Sequence, residues 1–318
     1  MKKWAILGCL ALLLGSCNDE VFVEPVEVSA TECTLDGNGD EQFIDVSSDD
    51  WQVSNVWYSS PALTDAVVVH YDAAGNPMDG DAQSRWQLEG VGRMEVRHPL
   101  AVFSIEHCAD HRLRIAVEEC FFFSGQELVV TVGNGYASQE IHAVLSPAER
   151  YRVEDVAYNF DNYSRWEETG KDIDRFYTVN STDAPMEYHL TLDKREYSEV
   201  RFIGETDRLL AMVGEGVKVA VPEPEDDGFG LRMGDDQALL SSGWEPLTPR
   251  PEEAEVVTME IPPRSLAIID VKADRVYFKT ELTLTATNPK SGRRRQEKGW
   301  VERWTPMRFT HTVEFVGL

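Results

Sequence analysis

Aromatic residues beside acids and amides mark the places where this sequence could recognise a ligand. The apolar face of a sugar ring packs on an indole or phenol ring, while carboxylates and amides bind its hydroxyl groups. Such rings occur beside Asp49-Asp50, in a long insertion, and around Glu302-Arg303. Any one of them could instead pack in a core. As a group they predict glycan binding: Trp51, Trp57, Tyr58, Trp86, Trp300 and Trp304.

One basic stretch, from Lys290 to Lys298, stands out in an acidic sequence. It falls between two alternating segments, where we expect the tip of a hairpin. One interpretation is a solvated turn that keeps strand edges from aggregating. The other is a contact with phosphate or sulfate on lipopolysaccharide or host glycans, made by Arg293, Arg294 and Arg295.

Two segments carry metal-ligand residue types without the spacing that a metal site needs. Residues 36–40 copy the first, third and fifth positions of a calcium loop, but Glu41 replaces the turn glycine and Ser47 replaces the bidentate glutamate. His107-Cys108 and His111 fall around one β-turn, which does not gather three ligands tetrahedrally. We predict no metal site.

Catalytic motifs are absent from the sequence. It has no nucleophile elbow, phosphate-binding loop or dinucleotide fingerprint. A carboxylate pair for glycoside cleavage depends on how the chain folds, so the 56 acidic residues leave that alternative open. We expect a non-catalytic protein without a cofactor.

The N-terminus has the pattern of an export signal. Lys2 and Lys3 precede an apolar run from Trp4 to Leu14, and small residues lie directly before Cys17. At about 1.5 Å per residue the run spans roughly 16 Å of a ~30 Å hydrocarbon core, which is too short for a stable transmembrane helix. The sequence Leu-Gly-Ser-Cys resembles the bacterial lipobox, which implies removal of residues 1–16 and acylation of Cys17.

The residues after Cys17 predict where the protein is held. Asn18-Asp19-Glu20 resembles the acidic export signal of Bacteroidetes lipoproteins, which implies an outer-membrane lipoprotein facing the cell exterior. Retention on the periplasmic side is the alternative. Residues 17–24 are then a lipidated tether, whose acyl chains hold the protein at the membrane.

The charge balance restricts the partners of the folded part. The chain has 30 Lys and Arg against 56 Asp and Glu, a net charge of −26. Such a chain repels nucleic acid and anionic membranes. We therefore expect no nucleic-acid partner, and contact with the membrane only through the lipid anchor.

Short alternating runs predict an all-β protein. Apolar and polar residues alternate over 128–132, 277–288 and 309–315, and the first run is followed by the hairpin signal Asn134-Gly135. Alternation gives each sheet one dry and one wet face, which is typical of a sandwich.

Segments 28–53 and 113–144 carry a strand ending in Trp51-x-Val53 and a final hairpin. They resemble the BACON domain, a module of Bacteroidetes surface proteins that is suspected of binding carbohydrate or mucin. The resemblance implies an immunoglobulin-like β-sandwich over residues 25–150. Leu145-Ser146 replaces the usual closing glutamine, and the stretch 70–97 is longer than the family carries.

Residues 151–318 contain three further signatures: segments 158–166 and 176–192, an Ile-Pro-Pro within 257–271, and Gly299-Trp300 before the last strand. These resemble the aerolysin and epsilon-toxin type of β-pore-forming fold, which implies a second, longer-stranded β domain. An unrelated long-stranded domain with similar turns is the alternative.

A pore former of that type needs a hairpin in which apolar and Ser or Thr residues alternate. Between Phe202 and Leu247, Pro222, Pro224 and clustered acids interrupt any such alternation. We therefore predict a cell-surface glycan-binding lipoprotein, and keep an aerolysin-like membrane-acting effector as the alternative.

Three cysteines follow the lipobox: Cys33, Cys108 and Cys120. An odd number in an oxidising compartment leaves at least one free thiol. Strands on either side of a turn at Ala109-Asp110 would place Cys120 roughly 30 Å from Cys108, so a bridge between these two is disfavoured.

Overall fold

The computed structural model describes residues 25–59, 61–78, 86–225 and 229–318. The predicted signal, Cys17 and the tether 17–24 lie outside the described residues. Regular structure is almost entirely β, so the predicted all-β class is confirmed. Within the described ranges, no helix is both long enough and apolar enough to span a membrane.

The first unit is a sandwich of two sheets, with strand orders β1-β9-β8-β3 and β2-β7-β6-β5-β4. A short 3-10 helix, Pro61–Asp65, follows β3. The strands are β1 Glu32–Leu35, β2 Asp40–Asp45, β3 Gln52–Tyr58, β4 Val67–Asp72, β5 Gly92–His98, β6 Ala101–Cys108, β7 Arg112–Cys120, β8 Gln126–Gly133 and β9 Ser138–Leu145.

Alternation along these strands builds the core of the sandwich. Leu113, Ile115 and Val117 of β7 point inward and are buried, as is every second residue of β6. The Asn134 side chain accepts hydrogen bonds from the backbone of Tyr136 and Ala137, which closes the β8–β9 hairpin at the predicted turn.

The second unit has three strands far longer than the usual five or six residues. β10, β17 and β18 contain 29, 23 and 24 residues. The elements are β10 Arg152–Asn180, β11 Met186–Leu192, β12 Glu199–Gly204, α1 Arg208–Val213, β13 Lys218–Pro224, β14 Leu231–Leu239, β15 Glu245–Pro246, a 3-10 helix Pro251–Glu253, β16 Glu255–Ile261, β17 Ser265–Thr287 and β18 Arg294–Gly317.

The long strands form one antiparallel sheet in the order β10-β17-β18-β12-β15, and two separate two-stranded sheets, β11-β16 and β13-β14, cover it. The β11–β16 pair packs on Ala267, Ile269 and Val271 of β17. The β13–β14 hairpin and α1 pack on Leu282 and Leu284, which point to the opposite face. The covered face of the sheet therefore changes midway along β17. In the half that contains Leu282 and Leu284, no layer formed by the described residues covers the face opposite to these two residues, and we call it the open face.

Polar contacts join the two units. The buried Glu119 carboxylate at the end of β7 accepts hydrogen bonds from the Tyr151 hydroxyl and from Arg295 of β18, the latter at 2.5 Å. Asn38 accepts from Asn288 at 2.9 Å and from the Glu149 backbone at 2.8 Å. The junction is therefore specified by side chains far apart in the sequence.

The basic stretch is at a hairpin tip, as predicted, but it is not an open patch. Arg293 and Arg295 pair with Glu118, at 3.1 and 3.0 Å. Arg294 pairs with Glu154 at 2.9 Å and stays largely exposed. Neither a free solvated turn nor a free anion site describes Arg293 and Arg295, because the acids of the first unit neutralise them.

The three cysteines within the described ranges, Cys33, Cys108 and Cys120, form no disulfide. Cys120 is buried, while Cys33 and Cys108 are half-buried. Burial raises the pKa of all three thiols above its usual value. The thiols are therefore protonated at neutral pH and behave as small apolar side chains.

We expect Glu119→Ala to destabilise the protein by about 3 kcal/mol, because it leaves the Tyr151 hydroxyl and part of the Arg295 charge without a buried partner. Arg294→Ala, which removes an exposed ion pair of the same hairpin, should cost less than about 1 kcal/mol. Urea unfolding of both variants measures the difference, and equal costs would contradict the role given to Glu119.

Candidate functional site

The aromatic residues predicted in the first unit do not share one surface. Trp51 is buried and stacks on His107 with ring centres 3.8 Å apart. Trp57 is exposed, whereas Tyr58 and Trp86 pack on each other at 5.0 Å and against the core. The predicted group is therefore split between an end of the sandwich, an outer face and the core.

The residues predicted near the C-terminus do meet on one surface. Trp300, Glu302 and Trp304 are alternate residues of β18 and point to the open face of the long sheet. Arg303 points to the opposite face, where it is buried. The Glu302-Arg303 pair is thus divided between two faces, as the period of a strand requires.

Two rings that the sequence did not single out complete the cluster. Tyr277 is paired across the strands with Trp166 on one side and Trp304 on the other. Trp166 stacks on Tyr277 with centres 3.5 Å apart, and Trp304 meets Tyr277 edge-on at 5.2 Å. We call Trp166, Tyr277, Trp304, Trp300 and Glu302 the sheet-face cluster.

Cations cover the tryptophan rings around Glu302. The Arg275 guanidinium lies 4.6 Å from the centre of Trp304, and the Lys279 ammonium 5.2 Å from that of Trp300. Trp166 differs, because its ring rests on Tyr277 while 48% of the residue remains exposed. It is the ring of the cluster that offers most surface to a ligand.

Glu302 organises the cations of the open face. It is 4% exposed and pairs with Arg201 at 2.6 Å and with Lys279 at 3.3 Å. Burial alone would raise the pKa of Glu302, but hydrogen bonds from Arg201 and Tyr277 and the Arg201 charge outweigh it and hold the pKa below its usual value. Burial and the Glu302 carboxylate raise the pKa of the Tyr277 hydroxyl. Glu302 is therefore an anion, and Tyr277 a neutral donor, at neutral pH.

The other face of β18 holds the β13–β14 hairpin through buried charges. Arg303 donates to Asp236 of β14 and to the Pro222 carbonyl of β13, each at 2.8 Å. Arg195 donates to the second Asp236 oxygen at 2.6 Å. The hairpin strands have seven and nine residues, and a register irregularity lies between Ala220 and Pro222, within the stretch that the sequence predicted to lack long alternation.

In the ranges that the structure describes, no three His, Cys, Asp or Glu side chains are placed to hold a metal ion. In the calcium-like segment, Asp36 binds Lys290 and the Asn38 backbone, which lowers the pKa of its carboxyl. That segment thus joins the two units.

Comparison with known proteins gives structural neighbours only. No family model and no curated protein matches the sequence. A lamprey immune protein is 12% identical, covers 92% of this chain and 90% of its own, and has a TM-score of 0.31. An aerolysin-like protein of Bombina maxima is 11% identical over 52% of this chain and 98% of its own, with a TM-score of 0.27.

A putative pore-forming toxin of Bacteroides vulgatus is 10% identical over 91% of each chain, with a TM-score of 0.14. By their descriptions, the last two neighbours are an aerolysin-like protein and a pore-forming-toxin-type protein. TM-scores this low carry no argument about what this chain does. The architecture given above therefore rests on its own strands and registers.

Glu302→Gln should lower stability at pH 7, because Arg201 and Lys279 lose their shared anion. The folded pKa of Glu302 lies below its ordinary value of 4.5, so its contribution is present above that pH and is lost as the pH falls through the folded pKa. We expect the difference in urea midpoint between wild type and variant to shrink below about pH 4.5. Glu281→Gln, an exposed acid of the neighbouring strand β17, should show no such trend.

Proposed function

We propose that the protein is a non-catalytic lipoprotein of the outer membrane, held by an acylated Cys17 and facing the cell exterior, that binds glycan through the sheet-face cluster. One observation carries the proposal: Trp166 presents an exposed indole beside charged and hydroxyl-bearing side chains on an open sheet face. That combination is what a sugar ring needs.

The cluster is already in order before a ligand arrives. Trp166 is held flat against Tyr277, so stacking a sugar on its outer face would freeze little side-chain motion. The ion pairs of Glu302 fix Arg201 and Lys279 near the neighbouring rings. Binding would then gain most of the stacking energy without a large ordering cost.

Charge favours a neutral glycan over a strongly anionic one. The net charge of −26 opposes the approach of polyanions. The cations near the cluster already have partners: Arg201 pairs with Glu302, and Lys279 and Arg275 lie over the rings of Trp300 and Trp304. The same balance supports the expectation that nucleic acid is not a partner.

Trp166→Ala should weaken glycan binding about tenfold or more, because it removes both the apolar area of the ring and a stacking contact worth about 0.5–1.5 kcal/mol beyond that area. A glycan panel identifies the ligand, and calorimetry with wild type and variant measures the loss. Trp57→Ala, an exposed tryptophan of the first unit, is the matched control and should bind normally. Equal affinity of the Trp166 variant would remove the cluster as the site.

A membrane-acting effector is the second candidate, and the β13–β14 hairpin favours it. The hairpin lies between β12 and β15 in the chain and covers the sheet through a buried ion pair in addition to apolar packing. Charged contacts regain water when they separate, so such a hairpin leaves a sheet more easily than one held by apolar packing alone.

Asp236→Ala tests this second candidate, because it leaves Arg303 buried without its counter-ion, at a cost of about 3–5 kcal/mol. If the hairpin acts on membranes, the variant should release dye from liposomes faster than wild type. Asp235→Ala, its exposed neighbour on β14, should behave as wild type. Absence of release by wild type and by both variants would reject lytic activity.

A further inference from the structure

A cavity of about 480 Å³ lies at one end of the first unit, apart from the sheet-face cluster. It is bounded by the chain entering β3, by the β6–β7 turn and by the β8–β9 turn. Its polar lining includes Asp49, Asp50, Trp51, Gln52, His107 and Asn134.

Two buried ring nitrogens in the wall of this cavity lack a hydrogen-bond partner. Trp51 Nε1 and His107 Nδ1 are two of the four such side-chain atoms among the residues that the structure describes. Both side chains are more than nine-tenths buried, and their rings stack on each other. A buried polar group without a partner costs about 1–3 kcal/mol, so two at one place call for an explanation.

The two nitrogens offer opposite halves of a hydrogen bond. The indole nitrogen of Trp51 is always a donor. Burial lowers the pKa of His107, so its ring is neutral at pH 7. In the tautomer that carries the proton on Nε2, Nδ1 has a free lone pair and is an acceptor. The wall then holds one unused donor and, in that tautomer, one unused acceptor.

The charges around the cavity are of one sign at neutral pH. Asp49 and Asp50 contribute two carboxylates, and no Lys or Arg belongs to the lining. His111 also belongs to the lining and lies 3.6 Å from Asp49. A cation is therefore favoured, while the indole and the amide of Gln52 can donate to uncharged oxygens.

We propose that this cavity is a second ligand site, which binds a small hydroxylated primary amine such as a sugar with a free amino group. The ammonium donates to the Asp49 and Asp50 carboxylates and to His107 Nδ1. A hydroxyl or ring oxygen accepts from Trp51 Nε1. The proposal does not depend on glycan binding at the sheet-face cluster.

Glucosamine is the probe. The readout is the Trp51 indole N–H signal in a ¹H–¹⁵N NMR spectrum of the chain without residues 1–16. We expect this signal to shift and saturate as glucosamine is added, with glucose and N-acetylglucosamine binding at least about tenfold more weakly. Those two sugars keep the hydroxyl groups but lack the ammonium.

Asp49→Asn with Asp50→Asn tests the acidic half of the site without touching the core, because these residues are exposed. The double variant should lose about tenfold or more in affinity for glucosamine. Asp45→Asn with Asp155→Asn removes two exposed carboxylates that do not line the cavity and should bind as wild type. Trp166→Ala should also bind glucosamine at this site as wild type, which separates it from the sheet-face cluster.

Three outcomes would overturn the proposal. One is an unchanged Trp51 signal at all glucosamine concentrations. Another is equal binding of glucose and glucosamine, which would mean that the carboxylates do not select a cation. The third is a shift caused by Ca²⁺ or Zn²⁺ and not by glucosamine, which would make the cavity a metal site.

Discussion

The second unit depends on the fact that a strand has two faces and that β17 buries a different one in each half. Ala267 to Val271 are covered from one side and Leu282 and Leu284 from the other, and a register irregularity between Asp274 and Arg275 separates the two halves. Each half of the sheet therefore has one face without a covering layer. On the second half of the sheet, the uncovered face carries aromatic rings that stack on each other or lie beneath a cation. These contacts reduce the apolar ring surface that is exposed to water.

The junction between the units follows a different principle. Its most buried ionic contact is the Glu119 carboxylate, bound by Tyr151 and Arg295, and the Asp36 to Asp40 segment adds amide contacts. Gly37 is required there, because a Cβ atom would lie 2.1 Å from the Ser146 carbonyl oxygen. Directional polar contacts of this kind set one relative placement of two units, whereas apolar packing tolerates several. Nothing in the local sequence around Arg293 indicates that its partners are 175 residues away.

The sequence correctly predicted the features that depend on patterns over a few neighbouring residues. The run 277–288 ends one residue beyond β17, the run 309–315 lies within β18, and the Asn134-Gly135 turn joins β8 to β9. These features were found because alternation and turn chemistry act over a few residues. Of the sheet-face cluster, the sequence predicted only some of the residues. Trp300 and Trp304 share a face through their even spacing on one strand, but Trp166 joins them through a register with several irregularities along β10 that no spacing reveals. Trp51 was expected at the surface and is buried, because its strand enters the sandwich at that residue.

The two candidate activities of the second unit meet in adjacent residues of β18. Glu302 orders the cations of the open face, and Arg303 holds the hairpin on the opposite face. A ligand on the open face can change hairpin release only if it binds the attached and detached states with different affinity, and the effect is then reciprocal. The cluster rests on the register of β10, β17 and β18, whereas the hairpin contributes no residue to it. If the sheet keeps that register when the hairpin leaves, glycan binding and hairpin release are independent, and the open face serves for attachment in either state.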